Sequence, residues 1–159
     1  MPTEQQIEFM RRAIALATEN VLSARGGPFG AVIVHKGQIL AEAANSVTTT
    51  NDPTAHAEIN AIRLACSELG SFSLEGCDIY SSCEPCPMCL AAIYWARIQA
   101  IYFGNSATAA ARADFRDAAL YRELALPREG RSIPSTQILA DEAVASFQAW
   151  QASPSKIEY

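Results

Sequence analysis

Two short stretches carry side chains suited to chemistry. "PTAHAEINAI", residues 53–62, sets His56 and Glu58 two positions apart where an apolar-periodic run begins. "SSCEPCPMCL", residues 81–90, sets Cys83, Cys86 and Cys89 three apart. Thiolate and imidazole are favoured donors for Zn²⁺. Two thiolates and one neutral imidazole nearly balance the ion's charge, so the group can be buried without a large desolvation penalty. The spacing of Cys86 and Cys89 lets them share a face in the first turn of a helix, and His56 is expected in the first turn of another. Free N–H groups and the helix dipole favour thiolate there. Two sites stay open at this level. His56, Cys86 and Cys89 alone leave a fourth position for water, as in a catalytic zinc, with Glu58 as proton carrier. Adding Cys83 closes a structural Cys₃His site and leaves Glu58 merely solvated.

The elements that must position these groups follow from periodicity. Residues 3–24 read as an amphipathic helix with a Thr3–Gln6 capping box and Ile7, Met10, Ile14, Ala17 and Val21 on one face. "GGPFG" (26–30) breaks it, and 29–46 read as a hairpin turning at Lys36–Gly37. A helix capped by Thr54 is expected over 55–69, stopped by Gly70. Then come a strand at 77–82, a helix at 85–98 with prolines tolerated near its start, and a strand at 100–105. That strand–helix–strand unit predicts parallel neighbours, and hence a mixed sheet with helices on both faces. A helix over 114–124 and a brief strand plus helix within 136–150 complete the expectation.

At 159 residues and half hydrophobic, the chain fits one domain. No apolar run approaches the roughly 20 residues of a bilayer span, and no basic-then-apolar leader opens the chain, so membrane association is not expected and a cytoplasmic protein is. Twelve basic against 17 acidic residues give a net charge of −5 with no basic stripe, which disfavours nucleic acid as a partner. Five cysteines, an odd number with three crowded into residues 83–89, favour metal binding over disulfides.

"HAE" (56–58) followed by "PCPMC" (85–89) resembles the H-x-E…P-C-x-x-C signature of the zinc-dependent cytidine deaminase superfamily. "GGPFGAVIV", "NDPTAHAE", "SCEPCPMCLAAIYWARI" and the closing "KIEY" are similar to the bacterial guanine deaminases. The resemblance implies an α/β fold of the cytidine deaminase-like type, a three-layer α/β/α sandwich around a mixed central sheet. It implies a single deaminase domain over 1–159, with 151–159 a C-terminal segment covering an active site. It assigns one Zn²⁺ to His56, Cys86 and Cys89, makes Glu58 the proton shuttle, and leaves Cys83 outside the ligand set. The implied reaction is hydrolytic deamination of guanine to xanthine and ammonia, with zinc-bound hydroxide attacking C2.

The resemblance also supplies substrate contacts: Asn45 hydrogen-bonding the base, Phe29 stacking on it, Asp117 accepting from guanine's donors, and Tyr159 touching the ligand. It implies a homodimer, with C-terminal segments swapped between copies. One departure stands out. The family often reads Gly-Phe-Asp/Glu-Asp where this chain has Asp114-Phe115-Arg116-Asp117, which puts the loop's shape and the substrate range in question. The alternatives are a tRNA adenosine deaminase, a deaminase of another free base such as cytosine or an aminotriazine, and a non-catalytic domain with the closed zinc site.

Overall fold

Thr3 and Gln6 cap the first helix reciprocally: the Gln6 N–H donates to Thr3 Oγ1 at 3.2 Å and the Thr3 N–H to Gln6 Oε1 at 2.9 Å. This is in a computed structural model that describes all of residues 1–159. The helix, α1, runs Glu4–Leu22. Strands β1 (Gly30–His35) and β2 (Gln38–Ala44) pair antiparallel around a two-residue turn. Lys36 and Gly37 both have positive φ there, 50° and 75°, as a turn matched to strand twist requires. A short helix α2 (Val47–Thr50) leads to α3 (Ala57–Leu69), then β3 (Cys77–Cys83), α4 (Pro87–Trp95) and β4 (Ala100–Asn105). The sheet order is β2-β1-β3-β4. β1 pairs antiparallel with β3, and β3 parallel with β4 across the α4 crossover, so the sheet is mixed as expected.

Alternation along the strands splits the core between the two faces. Ala31, Ile33 and Ile79 face α3 and α4, packing with Ala57, Ala61, Ala65, Leu74 and Ile93. Val32, Val34 and Tyr80 face α1, packing with Ala13, Phe9, Met10 and Leu16. These are the three layers of an α/β/α sandwich. The alanine stripe of α3 brings that helix close to the sheet, and its first turn therefore reaches the ends of the strands.

Several local expectations are corrected. The buried face of α1 is Ala13, Ala17 and Asn20, whereas Ile7, Ile14 and Val21 are exposed. The small residues win because they permit close approach to the strands. Helix α3 starts two residues later than expected: His56, not Thr54, is its N-cap. Thr54 instead closes a turn on Asp52, donating N–H and hydroxyl to Oδ1 at 2.8 and 2.7 Å. Cys86 likewise is an N-cap, in extended conformation, with Pro87 as the first helical residue of α4.

After β4 comes a short helix the sequence reading omitted, α5 (Ala107–Arg112), capped by Ser106. Helix α6 spans Asp117–Ala125 and not 114–124, because Asp114 takes a left-handed φ of 66°. The chain divides into two compact units, Met1–Tyr121 and Arg122–Tyr159. The second contains α7 (Ala140–Ala152) and a turn in which Glu123 accepts from the N–H and hydroxyl of Ser132. The brief strand expected near 136–139 is absent, since nothing in this chain pairs with it. No helix is long and apolar enough to cross a membrane.

Candidate functional site

The N-termini of α3 and α4 meet at one end of the sheet. As N-cap residues, His56 and Cys86 have extended backbone, which turns each side chain off its helix and toward the other. Cys89, one turn into α4, completes the group. His56 Nδ1 lies 3.6 Å from Cys86 Sγ and 3.5 Å from Cys89 Sγ, and all three donor atoms fall within 4.8 Å of one another. With zinc–sulfur near 2.3 Å and zinc–nitrogen near 2.1 Å, the nitrogen–sulfur edge of a tetrahedron is about 3.6 Å. The donor set and its spacing thus fit the ion.

Cys83 does not join this group. It ends β3 and points its thiol at the Ser106 carbonyl, 3.8 Å away, and burial pushes that thiol up to about 11. The closed Cys₃His arrangement is therefore not formed.

Electrostatics match the geometry. Cys86 is held down to about 4, first by its interaction with the Cys89 thiol and then, against burial, by His56. Cys89 moves strongly upward, because of that same interaction with Cys86, its burial and the nearby Glu58. His56 is raised, chiefly by its contact with Cys86. One thiolate beside a basic imidazole is what three closely packed ligands become before a cation joins them.

Glu58 lies in the first turn of α3, 5% exposed. Its Oε1 accepts from Ser81 Oγ at 3.1 Å and its Oε2 from Cys89 Sγ at 3.5 Å. Burial raises its pKa, partly offset by a backbone N–H. A two-residue offset from His56 points sideways on a regular helix; the N-cap conformation of His56 brings the two side chains together.

A cavity of about 240 Å³ opens onto these groups, lined also by Phe29, Asn45, Glu84, Phe115 and Asp117. Asn45 follows β2 and is 8% exposed. Its backbone is fixed by Phe29 O and by Asn20 Nδ2, which donates to Asn45 O at 2.8 Å. Its side-chain Oδ1 accepts from Val47 N–H at 3.2 Å, which turns the amide NH₂ away from that contact. Phe29 meets Phe115 edge to face, ring centroids 4.7 Å apart. Asp117 begins α6 in the cavity wall, its pKa raised by burial and then by Cys86. Tyr159 belongs to the second unit and is exposed.

Thus Asn45, Phe29, Asp117 and Glu58 share one cavity with the ligand group. Phe115, Glu84 and Ser81 were not singled out from sequence. Ser81 had a faint signal, as one of two adjacent serines at the end of β3. Phe115 had adjacency to Asp117. Glu84 had none, and here its Oε2 accepts from the Ala107 N–H at 2.8 Å, tying the cavity to α5.

Known proteins resemble this chain. A guanine deaminase of Bacillus subtilis (strain 168) is 53% identical over 151 residues, covering 95% of this chain and 97% of its own. The X-ray structure of guanine deaminase from Bacillus subtilis superposes with a TM-score of 0.94 at 52% identity, covering 100% of this chain and 99% of that one. A tRNA-specific adenosine deaminase of Agrobacterium fabrum is 51% identical over 77 residues, covering 48% of this chain and 51% of its own. Residues 3–105 match the model of the cytidine and deoxycytidylate deaminase zinc-binding region. With the ligand group and Glu58 inside that span, the chain belongs to the cytidine and deoxycytidylate deaminase family.

Proposed function

We propose that the protein hydrolyses guanine to xanthine and ammonia. The observation that carries this reading is the convergence of His56, Cys86 and Cys89 with the buried carboxyl of Glu58 at a cavity lined by Asn45, Phe29 and Asp117. High identity to a guanine deaminase along nearly all of both chains supports the choice of base.

His56 through Nδ1, and Cys86 and Cys89 through their sulfurs, would hold one Zn²⁺. When bound, the ion supplies Lewis acidity that lowers the pKa of water from 15.7 to about 7. The chain's own residues do the rest. Glu58 takes a proton from the attacking water and passes it to the ring nitrogen beside C2; it then takes the remaining proton of the hydroxyl added at C2 and gives it to the amine, so that C2=O forms as the C2–N bond breaks and ammonia leaves. Its burial keeps bulk water from competing for that proton. The Asn45 NH₂ donates to an acceptor of the base, its orientation set by Val47. Asp117 accepts from guanine's N1–H or amine. Phe29 offers a ring face for stacking, and Phe115 braces that ring from the side.

The second unit supports a further part of the proposal. None of its residues is buried, and Phe147, Trp150 and Ile157 stand exposed, as do Tyr94 and Trp95 on α4. So much apolar surface suits a homodimer in which residues 151–159, Tyr159 included, cover the site of a second copy. A single-chain mass by light scattering at working concentrations removes this part. Five reduced cysteines suit the cytoplasm.

The test is ammonia release from guanine, adenine, cytosine and aminotriazines by zinc-loaded protein, with tRNA as a separate arm. Guanine is expected to react fastest, and Glu58→Ala to lose at least about 100-fold while keeping its metal. Untouched guanine overturns the assignment, and inosine formed in tRNA replaces it with the adenosine-editing reading.

A further inference from the structure

β3 carries two adjacent serines that are both almost fully buried, Ser81 at 1% and Ser82 at 3% exposure. Alternation sends them to opposite faces of the sheet. Ser82 Oγ accepts from the Gly30 N–H at 3.0 Å, a contact that ties β3 to the start of β1. Ser81 faces α3, and its hydroxyl donates to Glu58 Oε1 at 3.1 Å. A buried hydroxyl in the middle of a sheet needs a partner, and this one finds it in the carboxyl that the reaction uses.

We infer that Ser81 is a positioning residue: its hydroxyl fixes the Glu58 carboxyl in the rotamer from which protons are delivered. The inference rests on the proposed role of Glu58 and deepens it. Glu58 has two side-chain donors, Ser81 on Oε1 and Cys89 on Oε2. A cysteine that ligates a metal does so as thiolate and has no proton to give. Ser81 is then the side-chain donor that remains. Its position is set by the β1–β3 pairing, in which Ser81 stands opposite Ala31. A strand residue locked on both sides by the sheet is a rigid support, whereas the free carboxyl end of a glutamate rotates readily. Ser81 bonds Glu58 and is not itself among the residues lining the cavity, so it acts on turnover without a share in binding the base.

The experiment compares Ser81→Ala, Ser81→Thr and Ser81→Cys with wild type in kcat and KM for guanine, bound metal per chain, and Tm. Crystal structures of the metal-loaded Ala and Thr variants report the Glu58 rotamer. Loss of one hydrogen bond to a charged group corresponds to about 10- to 100-fold. Ser81→Ala is expected to lose kcat by that factor with KM within about twofold and one metal per chain, and its Glu58 carboxyl to occupy more than one position. Ser81→Thr, which keeps the hydroxyl, restores kcat and the single rotamer. Ser81→Cys, a weak donor of similar size, falls between them and remains informative if the alanine variant does not fold.

A Ser81→Ala enzyme within twofold of wild-type kcat overturns the inference, as does a parallel loss of kcat, KM and metal that threonine does not rescue. Inactivity of the wild type toward guanine would instead strike the proposed function, so the two failures are separable.

Discussion

Adding a single methyl group at Gly26 tests how tightly the base-recognition wall is built. A Cβ there would sit 2.3 Å from the Asn45 carbonyl oxygen and 2.8 Å from Asn20 Nδ2. Carbon and oxygen settle at about 3.3 Å or more, so Asn45 must retreat by about 1 Å. It cannot do so freely. Asn20 Nδ2 grips that same carbonyl at 2.8 Å, and the Asn45 N–H is bonded to Phe29 O at 3.0 Å. A misplacement of about 1 Å in a positioned group costs roughly 100-fold in turnover, so Gly26→Ala is expected to lower kcat/KM for guanine by about that factor. The strained or broken Asn20–Asn45 bond removes about 1–3 kcal/mol of stability, which is a fall in Tm of roughly 2–12 °C for a chain of this size. Metal content should not change, since no ligand touches Gly26.

The neighbouring glycine is the internal control. At Gly27 the atoms nearest the added Cβ would be Phe29 ring carbons and Asn45 Oδ1, at 3.4–3.6 Å, near ordinary contact distance. Gly27→Ala is therefore expected to stay within about fivefold of wild type. Steady-state kinetics, metal analysis and thermal unfolding on the three proteins decide the matter. If Gly26→Ala matches wild type, or if the two variants lose activity equally, the reasoning about close approach at Asn45 is wrong.

Two further predictions concern the metal group and the outer sheet. Cys83→Ser should keep one metal per chain while Cys86→Ser loses it, because only Cys86 stands within ligand distance of His56 and Cys89; metal analysis after dialysis checks this, and loss from both variants would revive the closed site. Arg12 Nε donates to Glu42 Oε2 at 2.8 Å across α1 and β2, which lowers the Glu42 pKa, its hydrogen bond to Arg12 being the main cause. A carboxylate with a depressed folded-state pKa adds stability that is present above its unfolded value of about 4.3 and is lost as pH falls through the folded value. Both side chains are 36% exposed, so Glu42→Gln should cost only about 0.5 kcal/mol at pH 7. The gap to wild type should close below about pH 4 in denaturant titrations, and a gap that widens on acidification contradicts the assignment.

Local physics made much of this protein legible in its sequence. The Thr3–Gln6 box and the Lys36–Gly37 turn depend on neighbours within a few residues, and each forms as the residues dictate. Cysteine and histidine spacing named the candidate ligands, Cys83 among them, because few side chains offer soft donors. What distant contacts decide was not legible. The three-residue spacing of Cys83, Cys86 and Cys89 cannot say which sulfur turns inward; that followed from β3 ending at Cys83 while α4 begins after Cys86. Hydrophobicity suggested Ile7, Met10, Ile14, Ala17 and Val21 as the inner face of α1; Ala17 is buried there as expected, but close approach to the sheet selected Ala13 beside it and left Ile7, Ile14 and Val21 exposed. Phe115 entered the cavity wall only because the chain turns back after α5. Ser81 met Glu58 only through the packing of α3 on the sheet, which brings residues 23 apart in sequence to hydrogen-bond distance. Residue types and short-range spacing specify which chemistry is available. Which groups touch depends on how helices and strands far apart in the chain pack together, and that information is spread over the whole core.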